Sequence, residues 1–333
     1  MTVKSAATAE PALGNGTRHL IHCPPSWDHY LLDAPSVGEE HFVLAGELPR
    51  AHPLFNDGPG HFHDAQIVTE TIREIGEFVG HRYFGVPQDR PGLFFGFHLD
   101  LTELRAWRTD WADSTESGAA RITTNIRAKP ANAMNGVPRG LDFHIEVRIN
   151  DMPCCTGTAG LVFLMPQLHR NHLAHNRQAL RAAPELDDAP DGALRPVDPA
   201  EVGRSAVSNV VISEPSESSR GRLTTWVLTD NPNPVFAPEG GHLSGTHLLE
   251  SLRQTSLLAA GRTFGLAPAR STLASSEVHF RSYAEPGLPL RCTAVPGALG
   301  RDEYGRPAVP VTLTVTQRRR AVAEARTTVV QDF

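Results

Sequence analysis

Two acid–base pairs at the same spacing, Glu70 with Arg73 and Glu250 with Arg253, are the residues of this chain most able to do chemistry. Each lies in a largely apolar run: IVTETIREIGEFV around the first and HLLESLRQTSLLA around the second. A carboxylate among apolar side chains is costly as the anion, so its pKa tends to rise and it can serve as a general base. The same spacing, i and i+3 on a helix, also suits an ion pair that carries no chemistry. From the residues alone, both readings stand for either glutamate.

Other candidates are weaker. His61, His63 and Asp64 form H-x-H-D ahead of the first pair, but a third and fourth ligand at workable spacing are missing, so no metal is expected. His242 takes the place in the second half that His61 takes in the first. A histidine there either lines the mouth of a substrate channel or makes a hydrogen bond at the helix entry, and the second reading suits His63 better. His52 precedes Pro53, which fixes a turn, and reads as structural. Ser244 lies in G-H-L-S-G, which is not the G-x-S-x-G elbow of a serine nucleophile. Cys154 and Cys155 lack a clear histidine partner, so no covalent acyl-enzyme is expected. There is no G-x-G-x-x-G or P-loop, and no cofactor is implied.

The elements that must position these residues occur twice. HPLFNDGPGHFHDAQIVTETIREIGEFVGHRYFG (52–85) is matched by NPVFAPEGGHLSGTHLLESLRQTSLLAAGRTFG (233–265), without a gap from Ile67 onward at an offset of 180. A period this long means a duplicated domain rather than a solenoid, and a pseudo-dimer places its sites between the halves. The spacing of Val68, Ile72, Ile75 and Val79 predicts a helix over about Asp64–Tyr83, closed by Gly85 and Pro87. Leu248, Leu252 and Ala259 predict its counterpart over Ser244–Phe264. Strand-like runs surround both: HYLLDAP, HFVLAGEL, LFFGFHLDL, ARITTNIRA, LDFHIEVRI and CTGTAGLVFL, then SAVSNVVIS, GRLTTWVLT, SSEVHFRSY, LPLRCTAVP, AVPVTLTVTQ and AVAEARTTVVQDF. A long helix, apolar around much of its circumference and wrapped by an antiparallel sheet, is an α+β plan. It describes a hotdog fold, and two copies describe a double hotdog. The expected division is a flexible N-terminus at 1–17, a first hotdog domain at 18–165, a Pro/Ala/Asp-rich linker at 166–203 and a second hotdog domain at 204–333.

The composition narrows the function. The 333 residues carry a net charge of −6, which argues against a nucleic-acid partner. No apolar run approaches the roughly 18–20 residues of a membrane span. The polar start and four cysteines without C-x-x-C spacing fit a reduced, cytoplasmic compartment. Arg318–Arg320 read as a solvated hairpin turn in preference to a basic dock for an acidic partner.

GHLSGTHLLESLRQT resembles the central-helix motif of the A-factor biosynthesis (AfsA-like) hotdog proteins: a histidine, a turn, apolar residues, then Glu-x-x-Arg-Gln. LPRAHPLF and HDAQIVTETIRE resemble its first-half counterpart, and RPVDPAEVGRS fits the connecting phrase. The resemblance runs from about His19 to Phe333. The chain departs from the family pattern at Gly241 (often Asp), at Ser244 (usually Pro) and at Glu74, which stands where the second helix keeps Gln254. The resemblance implies an acyltransferase that moves a 3-oxoacyl group from an acyl carrier protein thioester to the hydroxyl of dihydroxyacetone phosphate, on the way to a γ-butyrolactone or butenolide signal. It implies Glu70 as the catalytic carboxylate and Arg253, from the other half, as its partner, holding the acceptor phosphate or the keto oxygens. His63, His242, Arg73 and Glu250 would contact substrate. The alternatives are a hotdog β-hydroxyacyl carrier-protein dehydratase or thioesterase, and an acyl-lactone binding protein without turnover. The protein would work as a monomer or a homodimer.

Overall fold

The computed structural model describes residues 17–20, 38–49, 52–115, 118–183, 194–216 and 221–333. The expected strand HYLLDAP and the N-terminal stretch before Thr17 lie outside them. In chain order the elements are β1 (Thr17–Leu20), β2 (Glu40–Glu47), α1 (Gln66–Tyr83), β3 (Gly92–Leu101), α2 (Thr109–Ala112), β4 (Arg121–Ala131), β5 (Gly140–Ile149), β6 (Met152–Phe163), α3 (Pro166–Ala182), β7 (Leu223–Trp226), α4 (Gly245–Phe264), β8 (Ser271–Phe280), β9 (Leu290–Pro296), β10 (Gly300–Arg301), β11 (Pro307–Gln317) and β12 (Arg320–Gln331).

All strands of the described residues belong to one sheet, in the order β1-β2-β4-β5-β6-β3-β8-β12-β11-β9-β7, with β10 beside β11. Outside β1 and β10, this order is a palindrome about the β3–β8 contact. The register locates the symmetry axis: Phe97 pairs with Val278 and His98 with Glu277. An offset of 180 carries each pair into the other, so a local two-fold passes between them. The fold is the double hotdog, with α1 and α4 each wrapped by one half of the sheet. The α1 core contains Ile72, Ile75, Val79 and Phe143, and the α4 core contains Leu252, Leu258, Val311 and Leu313. Ile67 and Phe280 pack against both.

The helices end as predicted, with Gly85 and Gly265 at φ +68° and +73°, a conformation that favours glycine. Small residues let each helix lie close to its sheet. Gly76 and Gly80, one turn apart on α1, face Phe94 of β3 and Phe163 of β6, and α4 carries Ser256 and Ala260 at the matching positions.

Three expectations need correction. The 166–203 stretch, expected as a linker, carries the 17-residue helix α3, and its later part sends Val197 and Val202 into the second core. SAVSNVVIS forms a short 3₁₀ turn, Val207–Asn209, and isolated bridges instead of a strand. Its backbone is satisfied by a side chain: Val211 N donates to Gln254 Oε1, and Gln254 Nε2 donates to Asn209 O. Finally, α4 is not a plain apolar rod, since Thr246, His247, Glu250, Ser251, Gln254, Thr255 and Ser256 are all buried. Ser251, Thr255 and Ser256 donate back to carbonyls of their own helix.

A Cβ added at Gly80 would overlap the buried Phe163 ring. Gly80→Ala is therefore expected to destabilise the protein by about 1–3 kcal/mol through overpacking, even though alanine is the better helix former. A lowered urea midpoint checks this; an unchanged or raised midpoint would mean that the ring moves aside freely.

Candidate active site

Helices α1 and α4 bring their acid–base pairs to the boundary between the halves, where the two pairs meet different surroundings. In the first, Glu70 accepts two hydrogen bonds from Arg73, Nε at 3.0 Å and Nη2 at 2.7 Å. Thr246, on the first turn of α4, donates to Glu70 Oε2 at 2.8 Å. Arg73 Nη1 lies 3.4 Å from Glu239. Burial pulls the Glu70 pKa upward, but Arg73, Thr246 and His52 together outweigh it and leave the carboxyl below its usual value. The raised pKa expected of a general base at Glu70 is thus not found: burial is incomplete, and a guanidinium is already paired with the anion.

The second pair is a closed knot. Glu250 is 0% exposed. It accepts from Arg253 (2.9 Å twice), from Arg204 (2.8 Å twice) and from Gln254 Nε2 (2.6 Å). Arg204, 4% exposed, also donates to Asp64 of the first half and to the Leu54 carbonyl. Burial pushes the Glu250 pKa up, yet the two guanidinium groups hold it at about 2. Both intrahelical pairs are formed, and the structure does not bring Arg253 to Glu70. Arg253 spends its donors on Glu250 and the Val202 carbonyl. The residue that reaches Glu70 across the boundary is Thr246.

The pseudo-two-fold relates two cavities. One, of about 330 Å³, is lined by Arg73, Leu93, Gly245 and Leu249. The other, of about 50 Å³, is lined by the residues one offset away: Arg253, Leu273, Ala65 and Thr69. One copy of the ancestral site is open and the other is filled. The open cavity is largely apolar, with Phe94, Phe97, Leu248 and Phe280 in its wall. Its polar rim holds Arg73, Glu239, His242 and His172. The His242 ring lies 4.7 Å from that of Tyr283. Its Nδ1 is 3.0 Å from the Leu243 carbonyl. A carbonyl only accepts, so Nδ1 carries the proton and Nε2 offers a lone pair. Ser244 caps α4 by accepting from His247 N, and Gly245, the first residue of the helix, lines the cavity.

His63 is elsewhere. It faces Asp113, 3.2 Å from Nε2, and lines a separate polar cavity of about 350 Å³ with Thr109 and Gly60. His61 turns to Asp332 at 3.0 Å, so H-x-H-D does not converge. His52 is structural, its Nδ1 accepting from Leu54 N and Phe55 N. A further cavity, about 570 Å³, has one ionisable side chain in its wall, Asp230, and none of the acid–base pairs. Arg204, Thr246 and His172 escaped the sequence reading. For Arg204 the available signal was its place in RPVDPAEVGRS, a segment that carries that guanidinium to Glu250.

A model of the A-factor biosynthesis hotdog domain matches residues 9–165 and 186–331. A Streptomyces griseus protein named 2-oxo-3-(phosphooxy)propyl 3-oxoalkanoate synthase is 28% identical over 293 residues, covering 84% of this chain and 85% of that protein. A protein of the same name from Streptomyces coelicolor is 26% identical over 282 residues, covering 84% and 82%. Among solved structures, a Lactobacillus plantarum chain described as an oleoyl thioesterase superposes with a TM-score of 0.52 at 10% identity, covering 88% of this chain and 96% of that one. This last likeness concerns the fold alone.

The Glu250 knot has a pH signature. Its carboxyl is held at about 2 against an ordinary 4.5. The stabilisation is therefore fully present above pH 4.5 and is lost as pH falls toward 2, a contribution of about 3 kcal/mol. Arg204→Met is expected to cost about 3–5 kcal/mol at neutral pH and to flatten the acid limb. Urea midpoints measured against pH check both, and a variant as stable as the parent would contradict the knot.

Proposed function

The chain belongs to the A-factor biosynthesis hotdog family, and from that premise we propose that it transfers a 3-oxoacyl group from a carrier-protein thioester to the hydroxyl of dihydroxyacetone phosphate. The relatives' name describes such an ester: a 3-oxoalkanoate on a 2-oxo-3-(phosphooxy)propyl alcohol. The observation that carries the reading is the 330 Å³ cavity, an apolar chamber whose lining also holds Arg73, His172 and His242 beside Glu239. Its aromatic and aliphatic wall suits an alkyl chain. The polar rim suits a small phosphorylated acceptor.

The chemistry is an alcoholysis. His242 Nε2 takes the proton of the acceptor hydroxyl. The oxygen attacks the thioester carbonyl, and the oxyanion that develops meets the N–H groups that open α4. The C–S bond then breaks, and the departing thiolate recovers the proton from His242. Glu70, already ionised and paired, is a weak base. Its part is to hold Arg73 in place, so that the guanidinium faces the acceptor phosphate. The role first expected of Arg253 passes to Arg73, and Arg253 keeps a structural one. No helix of the described residues is long and apolar enough to cross a membrane. Cys154, Cys155 and Cys292 are free and buried, which suits a cytoplasmic enzyme.

The test is a mass-spectrometric assay with a 3-oxoacyl carrier-protein thioester, with and without dihydroxyacetone phosphate. A phosphorylated ester is expected only with the acceptor. His242→Ala should lower kcat by about 10²–10⁴-fold, and Arg73→Ala should mainly raise KM for the acceptor. Free acid released without acceptor would make the protein a thioesterase. Ligand retention without turnover would make it a binding protein.

A further inference from the structure

Helix α3, in the stretch expected as a linker, is the most one-sidedly charged surface beside the open cavity. Its 17 residues include Arg170, Arg177, Arg181 and three histidines, and no aspartate or glutamate, in a chain whose net charge is −6. It is firmly seated. Leu180 and Asn176 are buried, and Asn176 Nδ2 donates to the Tyr283 carbonyl. Arg318, in the hairpin turn between β11 and β12 as expected, also donates to the Leu180 carbonyl at the helix end. The helix adjoins the cavity rim: His172 lines the cavity, and the His169 ring lies 5.9 Å from Tyr283.

Two of its arginines point outward. Arg177 is neutralised by Glu285, whereas Arg170 and Arg181 are exposed and meet no carboxylate among the described residues. Spaced by 11 residues, or three turns, they lie on one face. On the opposite flank of the helix, toward the cavity, are His172 and the exposed Leu168 (44%), with Met165 (58%) just before the first turn and Phe95 (47%) on the cavity wall. A positive surface with apolar contacts, next to the mouth of an acyl-sized chamber, complements an acidic amphipathic helix that carries an acyl chain on a flexible arm.

We propose that the exposed face of α3 is the docking surface for an acidic acyl carrier protein, which feeds its thioester past His172 into the cavity. The proposal rests on the transferase reading for its substrate but not for its test. The same 3-oxooctanoyl group is supplied on bacterial fatty-acid-synthesis carrier protein and, separately, as an N-acetylcysteamine thioester. Direct binding of the loaded carrier protein is measured by fluorescence anisotropy, which needs no turnover. The variant Arg170→Glu/Arg181→Glu is compared with Arg222→Glu, an exposed charge reversal at the far edge beside β7.

The double variant is expected to weaken carrier binding, and to raise KM for the carrier thioester, by tenfold or more. Its rate with the small thioester should match the parent, and Arg222→Glu should change neither. Parent binding should weaken as salt rises. If the parent binds the carrier but transfers nothing, docking stands and the transferase reading falls. If the parent does not bind the carrier, or if the double variant binds as tightly as the parent, the docking proposal is overturned. An equal loss with both thioesters would also overturn it.

Discussion

A carboxylate with no exposure to solvent, Glu250, is the constraint around which the two halves are assembled. An unpaired charge there would be untenable, so every neighbour must be placed to receive it. Arg253 comes from its own helix, and Gln254 from the next residue. Arg204 arrives from the segment that joins the halves, and it also binds Asp64 and the Leu54 carbonyl of the first half. One anion thus ties α4, the connecting segment and the approach to α1 together. Gln254 extends the tie by pairing with the backbone at Asn209 and Val211, which is why SAVSNVVIS leaves the sheet.

The same knot explains the unequal cavities. The register of β3 against β8 makes the two halves near-equivalent, and a symmetric ancestor would hold two like sites. In this chain the offset partner of Ser244 is Asp64. The serine is short and caps its own helix, whereas the aspartate accepts from Gln66 N and still reaches Arg204. The offset partner of Gln254 is Glu74, whose pKa burial and Glu70 both raise. A carboxylate cannot give the donor that Gln254 gives to Glu250, so the first-half pair is less tightly enclosed. That looser half keeps the 330 Å³ chamber.

Much of this plan was legible because duplication and helical spacing are local signals. The two helices, their glycine ends, most strands and the double hotdog follow from period and pattern. The site was legible only in part. Arg73 and His242 line one cavity, with Glu70 bonded to Arg73 behind it, but Arg253 and His63 line two others. Spacing reports which residues share a helix face, not which of two symmetric sites each face lines. The i,i+3 pairs were readable; their burial, and hence the sign of the pKa shifts, was not. The helix α3 was missed because its proline, alanine and polar content matches a linker, and only Asn176 and Leu180 are fully buried to hold it down.

The division of labour between the pairs also follows from burial. A group that must exchange a proton with substrate needs a lone pair that the protein leaves open, and a group that must hold the fold needs the opposite. Glu250, Arg204 and Arg253 satisfy one another, and the Glu250 carboxyl stays ionised across the physiological range. Glu70 is intermediate: partly exposed, ionised, and bonded to an arginine that faces the chamber. His242 alone among the expected site residues on the open rim has one ring nitrogen fixed by a carbonyl and the other uncommitted. The duplicated sequence therefore buries one copy of the Glu-x-x-Arg pair in a closed knot and leaves the arginine of the other copy on the open cavity, where the proposed reaction uses it. The group proposed to transfer the proton, His242, comes from the turn before α4, at the place His61 takes in the first half.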